Sequence, residues 1–405
     1  MIILNSLKKV KKLMIFMLVA AFAIIQPVCA DDEQETKILK PVISDKVVQS
    51  KKPPVVNALA AVVMEASSGR VLYSKNAAVK RSIASTTKIM TAIVAIENGD
   101  MDDTVSISRR AAGIGGSTLG LREGQEYTLR ELLYAMLLIS ANDAAIAVAE
   151  YIGGTVEEFA DMMNKKARSI GASDSHFITP HGLDASDQYS TAYDMAIITR
   201  YALKNPAFAE IVATSDSYIP GFSLYNTNEL LGAYPGVDGV KTGYTGKAGR
   251  CLITTAQRDG MRIISVVFGS PTRNARSYAT RALLDYSYEN YKMKKLLDAG
   301  AAYADVRVNR GTKGKVSLIA SQSVALPLSE AESESLKIQE YKPSVMDAPV
   351  YAGAEAGYVE YLLDGETVAV SNLTVAENIR RKTYFDYLAI ILKEWGRMMR
   401  EGIFT

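Results

Sequence analysis

The sequence predicts an α+β domain, then a small all-β domain and an amphipathic terminal helix. Three observations predict it. Between Ala58 and Tyr288, strand-length apolar runs at both ends enclose a series of helix-period segments. After about Lys294, short alternating runs replace them. From Tyr384 to Phe404, apolar residues return to helical spacing.

In chain order, Ala58 to Met64 reads as a buried strand, Ser67-Ser68-Gly69-Arg70 as a turn, and Val71-Leu72-Tyr73 as the return strand. Ser85 to Glu97 reads as a helix stopped by Asn98-Gly99-Asp100. Leu129 to Tyr151 reads as one long helix or a pair. Val156 to Ile170, Asp194 to Lys204 and Ala275 to Tyr288 are further helices. Val240 to Thr242, Cys251 to Gln257 and Met261 to Phe268 read as strands. Strands at both ends with helices between them indicate an antiparallel sheet covered by helices. Val306-Arg307-Val308 and Lys315 to Leu318 begin the β-rich part, with turns at Arg310-Gly311 and Asp364-Gly365.

The N-terminus carries an export signature. Lys8, Lys9, Lys11 and Lys12 precede an apolar run from Leu13 to Ile25, and Val28-Cys29-Ala30 supplies a cleavage site after Ala30. The run is short for a membrane span of ~20 residues. If Cys29 leaves with the leader, Cys251 remains alone and no intrachain disulfide is needed. Residues 31–54, with Asp31, Asp32, Glu33, Pro41, Pro53 and Pro54, read as a flexible stalk. The expected divisions are therefore 1–30, 31–54, 55–292, 293–382 and 383–405. In the last, Tyr384, Tyr387, Leu388, Ile391, Leu392, Trp395, Met398 and Met399 form one arc, with Asp386, Lys393, Arg397 and Arg400 opposite. That pattern suits a helix lying in a membrane interface. Packing on the protein's own domain, or against a second copy, is the competing expectation. The formal charge of +2 gives no global field that would favour a nucleic-acid partner.

Three short motifs occur in order: Ser85-Thr86-Thr87-Lys88, Ser140-Ala141-Asn142 and Lys241-Thr242-Gly243. Singly they are weak. Ser6 and Lys9 also match the first spacing, and Ser74-Lys75-Asn76 the second. The third occurs by chance in roughly one unrelated chain in ten. A serine at neutral pH needs a base. Lys88, one helical turn after Ser85, serves only if its pKa falls, and burial plus a second cation such as Lys241 lowers it. Alternatively, Ser85 is a helix cap and Lys88 a solvated charge. Ser140 and Asn142 interrupt an apolar stretch, so they need partners. Ser140 suits a proton relay and Asn142 a contact to the substrate amide or Lys88; a capped helix break is the plainer reading. Lys241 to Tyr244 reads as a strand edge, where Gly243 permits close approach and a peptide can add as a strand. With His176 and His181 as the only histidines, both in a turn-rich stretch, a Ser-His-Asp arrangement is disfavoured. No cysteine pair or close histidine–carboxylate cluster suggests a metal.

Together the motifs resemble the penicillin-recognising serine enzymes. Further stretches are similar to the D-alanyl-D-alanine carboxypeptidases among the low-molecular-mass penicillin-binding proteins: Ala84 to Thr91, Ser140 to Ala144, His181-Gly182-Leu183-Asp184, Ser190 to Asp194, and Lys241 to Thr245. The likeness covers about Val55 to Tyr291. It implies that Ser85 is acylated by the penultimate D-Ala and water deacylates it, with Lys88 as base and Ser140 and Asn142 assisting. Lys241, Thr242 and Gly243 would line the substrate end. The N–H groups of Ser85 and Tyr244 would form the oxyanion hole. Arg276 would hold the terminal carboxylate, with Arg273 as its rival. Tyr244 departs from members that carry His there. The resemblance also implies no cofactor and no metal, peptidoglycan stem peptides as substrates, β-lactams as covalent inhibitors, and a place at the outer face of the cytoplasmic membrane. The expected role is peptidoglycan maturation and cell-shape control. An endopeptidase acting on crosslinks, or a wall-binding scaffold on an inactive fold, are the alternatives. A class A β-lactamase would need a deacylating Glu four residues before an Asn, and no Glu here stands so.

Overall fold

The computed structural model describes residues 52–400, Met399 by its backbone alone. The expected leader, nearly all of the expected stalk and residues 401–405 lie outside the described residues.

The first sheet has five strands: β1 (Ala60–Glu65), β2 (Val71–Lys75), β3 (Val237–Thr245), β4 (Gly249–Arg258) and β5 (Met261–Ser270). They are antiparallel, in the order β2-β1-β5-β4-β3. The strand carrying the third motif is thus an edge strand. Both faces are buried, and the period-2 alternation of a strand sorts them. Ala60, Val62, Met64, Ile264, Val266 and Phe268 join one core, while Ala61, Val63, Ile263 and Val267 join the other. The near-continuous apolar runs at these strands follow from that two-sided burial.

Helices α1 (Lys88–Asn98), α2 (Leu129–Leu138), α3 (Asn142–Gly153), α4 (Val156–Ser169), α5 (Ala192–Ala202) and α6 (Pro206–Ala213) cover the first face; α7 (Arg273–Asn290) covers the second. α1 is buried all round from Lys88 to Ala95, so its sequence shows no polar stripe. Thr128, Thr155, Thr191 and Thr272 cap α2, α4, α5 and α7 by accepting from backbone N–H groups, and Glu131 completes a capping box with Thr128. The stretch from Leu129 to Tyr151 is a pair of helices, broken where Ser140 adopts φ +68°. At the start of α6, Asn205 caps the helix and Pro206 occupies the first turn.

After α7 the chain is β-rich. A six-stranded sheet and a two-stranded one enclose a core that includes Val306, Leu318, Val359 and Leu373. Among the described residues, an ion pair helps tie this domain to the turn beside the first sheet. The Arg70 guanidinium, on the turn before β2, reaches Glu332 with Nη1 at 3.1 Å and Nη2 at 2.5 Å, and also donates to the Pro327 carbonyl. Glu332 is 2% exposed and completes a capping box with Ser329. The terminal helix, Tyr384–Arg400, leaves its apolar arc open: Tyr384, Ile391, Leu392 and Trp395 are 76%, 63%, 53% and 55% exposed. Packing of this arc on the protein's own domain is therefore not what the described residues have. None of their helices is long and apolar enough to cross a membrane.

Arg70→Ala should lower stability by roughly 3 kcal/mol, because Glu332 is left buried and short of its cation. Denaturant unfolding checks this, and an unchanged midpoint would show that the contact does not hold the β-domain.

Candidate active site

Ser85 lies in a single 3-10 turn, Ala84–Thr87, that runs straight into α1. It is not a helix cap; Ala84 before it takes φ +49°, a strained value for a residue with a Cβ. Lys88 opens α1 and is completely buried. Its Nζ lies 3.2 Å from Ser85 Oγ, 2.7 Å from Asn142 Oδ1 and 2.7 Å from the His181 carbonyl. Burial lowers its pKa well below the ordinary value, and the Lys241 charge lowers it further, against an opposing pull from Asp143. The neutral amine has two N–H donors and one lone pair. The two short contacts absorb the donors, which leaves the lone pair for the Ser85 hydroxyl.

Asn142, the first residue of α3, is oriented from both sides. Its Nδ2 donates to the Gly115 carbonyl at 2.8 Å, so Oδ1 faces Lys88. Asp143 secures the loop that supplies Gly115: its carboxylate accepts from the N–H groups of Leu119, Gly120 and Leu121 at 3.0, 2.9 and 3.1 Å. Ser140 sits at the break between α2 and α3, 8% exposed.

The third motif arrives on the edge strand β3. A Cβ on Gly243 would stand 3.0 Å from the Ser85 nitrogen, so this glycine lets β3 lie against the nucleophile turn. Lys241 is buried, and burial followed by the Arg276 charge lowers its pKa to about 7. The Thr242 hydroxyl lies 2.7 Å from that of Thr227. Tyr244 is exposed, with the Arg250 guanidinium 3.8 Å over its ring. Arg276, on α7, donates to the Cys251 carbonyl at 3.3 Å and to both Glu229 oxygens at 2.6 Å. Arg273 stands at the start of the same helix and is exposed. The first two motifs are thus in direct contact through Lys88, and the third abuts Ser85.

Residues 47–272 match the family described as D-alanyl-D-alanine carboxypeptidase, and residues 291–381 match the C-terminal domain of penicillin-binding protein 5. The chain belongs to the D-alanyl-D-alanine carboxypeptidase family. The D-alanyl-D-alanine carboxypeptidase DacF of Bacillus subtilis is 36% identical over 351 residues, 84% of this chain and 90% of the relative. The DacA enzyme of Haemophilus influenzae is 33% identical over 87% of this chain and 92% of its own length. The crystal structure of penicillin-binding protein 5 from Haemophilus influenzae superposes with a TM-score of 0.75 at 32% identity, covering 82% of this chain and all of that one.

Some members of the site are not legible as motif residues. His181 contributes its backbone carbonyl; its ring is buried, and desolvation with the Lys88 and Arg110 charges pushes its pKa down to about 3. Gly182, at φ +84°, lets this loop touch the nucleophile turn: a Cβ there would stand 2.0 Å from the Ala84 oxygen. Asp143 and Glu229 act on Asn142 and Arg276 rather than on the serine. The His181-Gly182 dipeptide within the family-like stretch is the one sequence signal that pointed here.

Gly182→Ala should slow acylation of Ser85 by roughly 100-fold by displacing the nucleophile turn. Gly171→Ala is the control, since Gly171 has φ +87° but open space around it. It should cost about 1 kcal/mol of stability and leave acylation unchanged. Stopped-flow labelling with a fluorescent penicillin compares the two, and equal rates would refute the steric argument.

Proposed function

We propose that Ser85 attacks the carbonyl of the penultimate D-alanine of a peptidoglycan stem peptide and that the terminal D-alanine leaves. The observation that carries this is the buried Lys88 amine, held by Asn142 and the His181 carbonyl beside the Ser85 hydroxyl. As the Ser85 Oγ–C bond forms, the hydroxyl proton moves to Lys88. As the C–N bond breaks, the leaving amine takes a proton, relayed from Lys88 through the Ser140 hydroxyl. Water then attacks the ester, releasing the shortened peptide and restoring Ser85. The N–H groups of Ser85 and Tyr244 stabilise the oxyanion, at ~3 kcal/mol each. Asn142 holds Lys88 and the substrate amide. The peptide lies along β3 as an added strand, past Thr242 and Gly243, with Lys241 and Arg276 toward its terminal carboxylate. A β-lactam follows the same acylation and deacylates slowly.

The experiment is a comparison of wild type with Ser85→Ala. Ser85→Ala should lose all labelling by a fluorescent penicillin and all release of D-alanine, and digests of treated peptidoglycan should retain the pentapeptide. Equal labelling of both proteins would sink the Ser85 assignment. Crosslink cleavage without loss of terminal D-alanine would replace carboxypeptidase with endopeptidase.

The same proposal places the enzyme outside the cytoplasmic membrane, exported by residues 1–30 and held at the outer face by the terminal helix. The open apolar arc of Tyr384–Arg400 supports this, with Lys393, Arg397 and Arg400 exposed on the same helix. A mature chain ending at Lys382 should stay soluble and retain D-alanine release, while the longer chain co-sediments with lipid vesicles. Persistent sedimentation of the shortened chain would end the anchor reading.

A further inference from the structure

The segment Thr227–Glu229 is riveted to β3. The Thr227 hydroxyl meets that of Thr242 at 2.7 Å and also donates to the Leu138 carbonyl at 3.1 Å. Asn228, 3% exposed, donates to the Gly239 carbonyl at 2.8 Å. The next residue, Glu229, is thereby fixed beside the third motif. Both of its oxygens lie 2.6 Å from Arg276 Nη2, and the Ser277 hydroxyl also donates to it. The pair spans a gradient of burial: the Arg276 side chain is 4% exposed and that of Glu229 is 29% exposed. Arg276 is not saturated by this contact. Its Nη1 makes one bond, to the Cys251 carbonyl, and its buried Nε makes none among the described residues.

We propose that Glu229 is a specificity-determining residue: an internal carboxylate that shares the Arg276 guanidinium with the terminal carboxylate of the substrate. It thereby weakens the enzyme's hold on carboxylate-ended peptides and on the amino acid they release. The inference rests on the reading of Arg276 given under the proposed function. Its physics is direct. Two carboxylates around one guanidinium repel each other, so each binds less tightly than it would alone. A weak hold on the ground state and the product costs nothing in the chemical step and speeds release.

The charge count at this end of the site has a definite sign. Replacing Glu229 by Gln removes one negative charge from the group formed by Glu229, Arg276 and Lys241. The unopposed guanidinium would press Lys241 further toward the neutral form. Lys241, already lowered to about 7, can surrender at most the fraction of a charge it still carries. The site therefore gains net positive charge, and its affinity for a carboxylate rises.

The test uses the mature enzyme and two versions of one acylated peptide ending in D-Ala-D-Ala, one with a free carboxylate and one with a carboxamide. In Glu229→Gln the KM for the free acid should fall about tenfold, and inhibition by added D-alanine should set in at a similarly lower concentration. The KM for the carboxamide should not move. A merely structural role cannot tighten binding of one end group alone. An unchanged or raised KM for the acid overturns the proposal, as does an equal change for both peptides. If the wild type handles acid and amide alike, the assignment of Arg276 to the carboxylate falls, and this inference with it. Stoichiometric labelling of Ser85 by penicillin reports that the variant is folded. Should it fall short, Glu229→Asp keeps the charge and loosens the contact, and its KM for the acid should lie between wild type and the tenfold shift.

Discussion

Everything at this site depends on one buried amine. Lys88 has no access to water, so its charged form must be supported by the protein alone. Two strong acceptors, Asn142 Oδ1 and the His181 carbonyl, lie within 2.7 Å. They bind the amine tightly in either protonation state but match the neutral one in valence. The third neighbour is the Ser85 hydroxyl, its Oγ at 3.2 Å. Burial sets the amine's basicity, and the two acceptors set its direction. A solvated lysine at the same spacing would have neither property, because water would stabilise its charge and leave its rotamer free.

That constraint propagates outward through the fold. Asn142 can face Lys88 only because its amide is held by Gly115, and the Gly115 loop is held by Asp143. The His181 carbonyl reaches Lys88 only because Gly182 has no Cβ to collide with the Ala84 carbonyl. β3 lies close against the nucleophile turn at Gly243, where a Cβ would crowd the Ser85 nitrogen at 3.0 Å. The left-handed backbone at Ala84 and Ser140 costs ~1 kcal/mol or more at each residue. The all-buried α1 and the helical core around it oppose relaxation of that strain, since packed cores resist small shifts.

The α+β class and the β-rich part that follows it are legible because burial writes period-2 and helical patterns into the side chains. The five strands, the buried α1 and the change of pattern beyond Lys294 all follow from those periods. So did the Ser85–Lys88 pair, whose spacing reports a shared helix face. Ser85 itself read as the first residue of a helix; its place in a 3-10 turn depends on Ala84, which no local propensity puts at positive φ. His181 is legible as a histidine, yet its contribution is a backbone carbonyl, which any residue carries. Glu229 is one of 44 acidic residues, and nothing local separates it from a solvated charge. Its meaning comes from Arg276, 47 positions later, through a contact made only when α7 packs behind β4.

The two ends of the site handle charge in opposite ways. Near Ser85 the protein strips solvent from Lys88, and Asp143 is the acidic counterweight that acts on it among the described residues. The amine is left poorly supported as a cation, which is what a base requires. At the other end stands a guanidinium, by its chemistry a fixed cation. A fixed cation buried to this depth must be balanced by a fixed anion, or the fold bears its desolvation unaided. Glu229 supplies that anion, yet it stays partly exposed on a segment pinned to β3. The guanidinium is thus held by an anion that solvent still reaches, with its buried Nε left unpaired among the described residues.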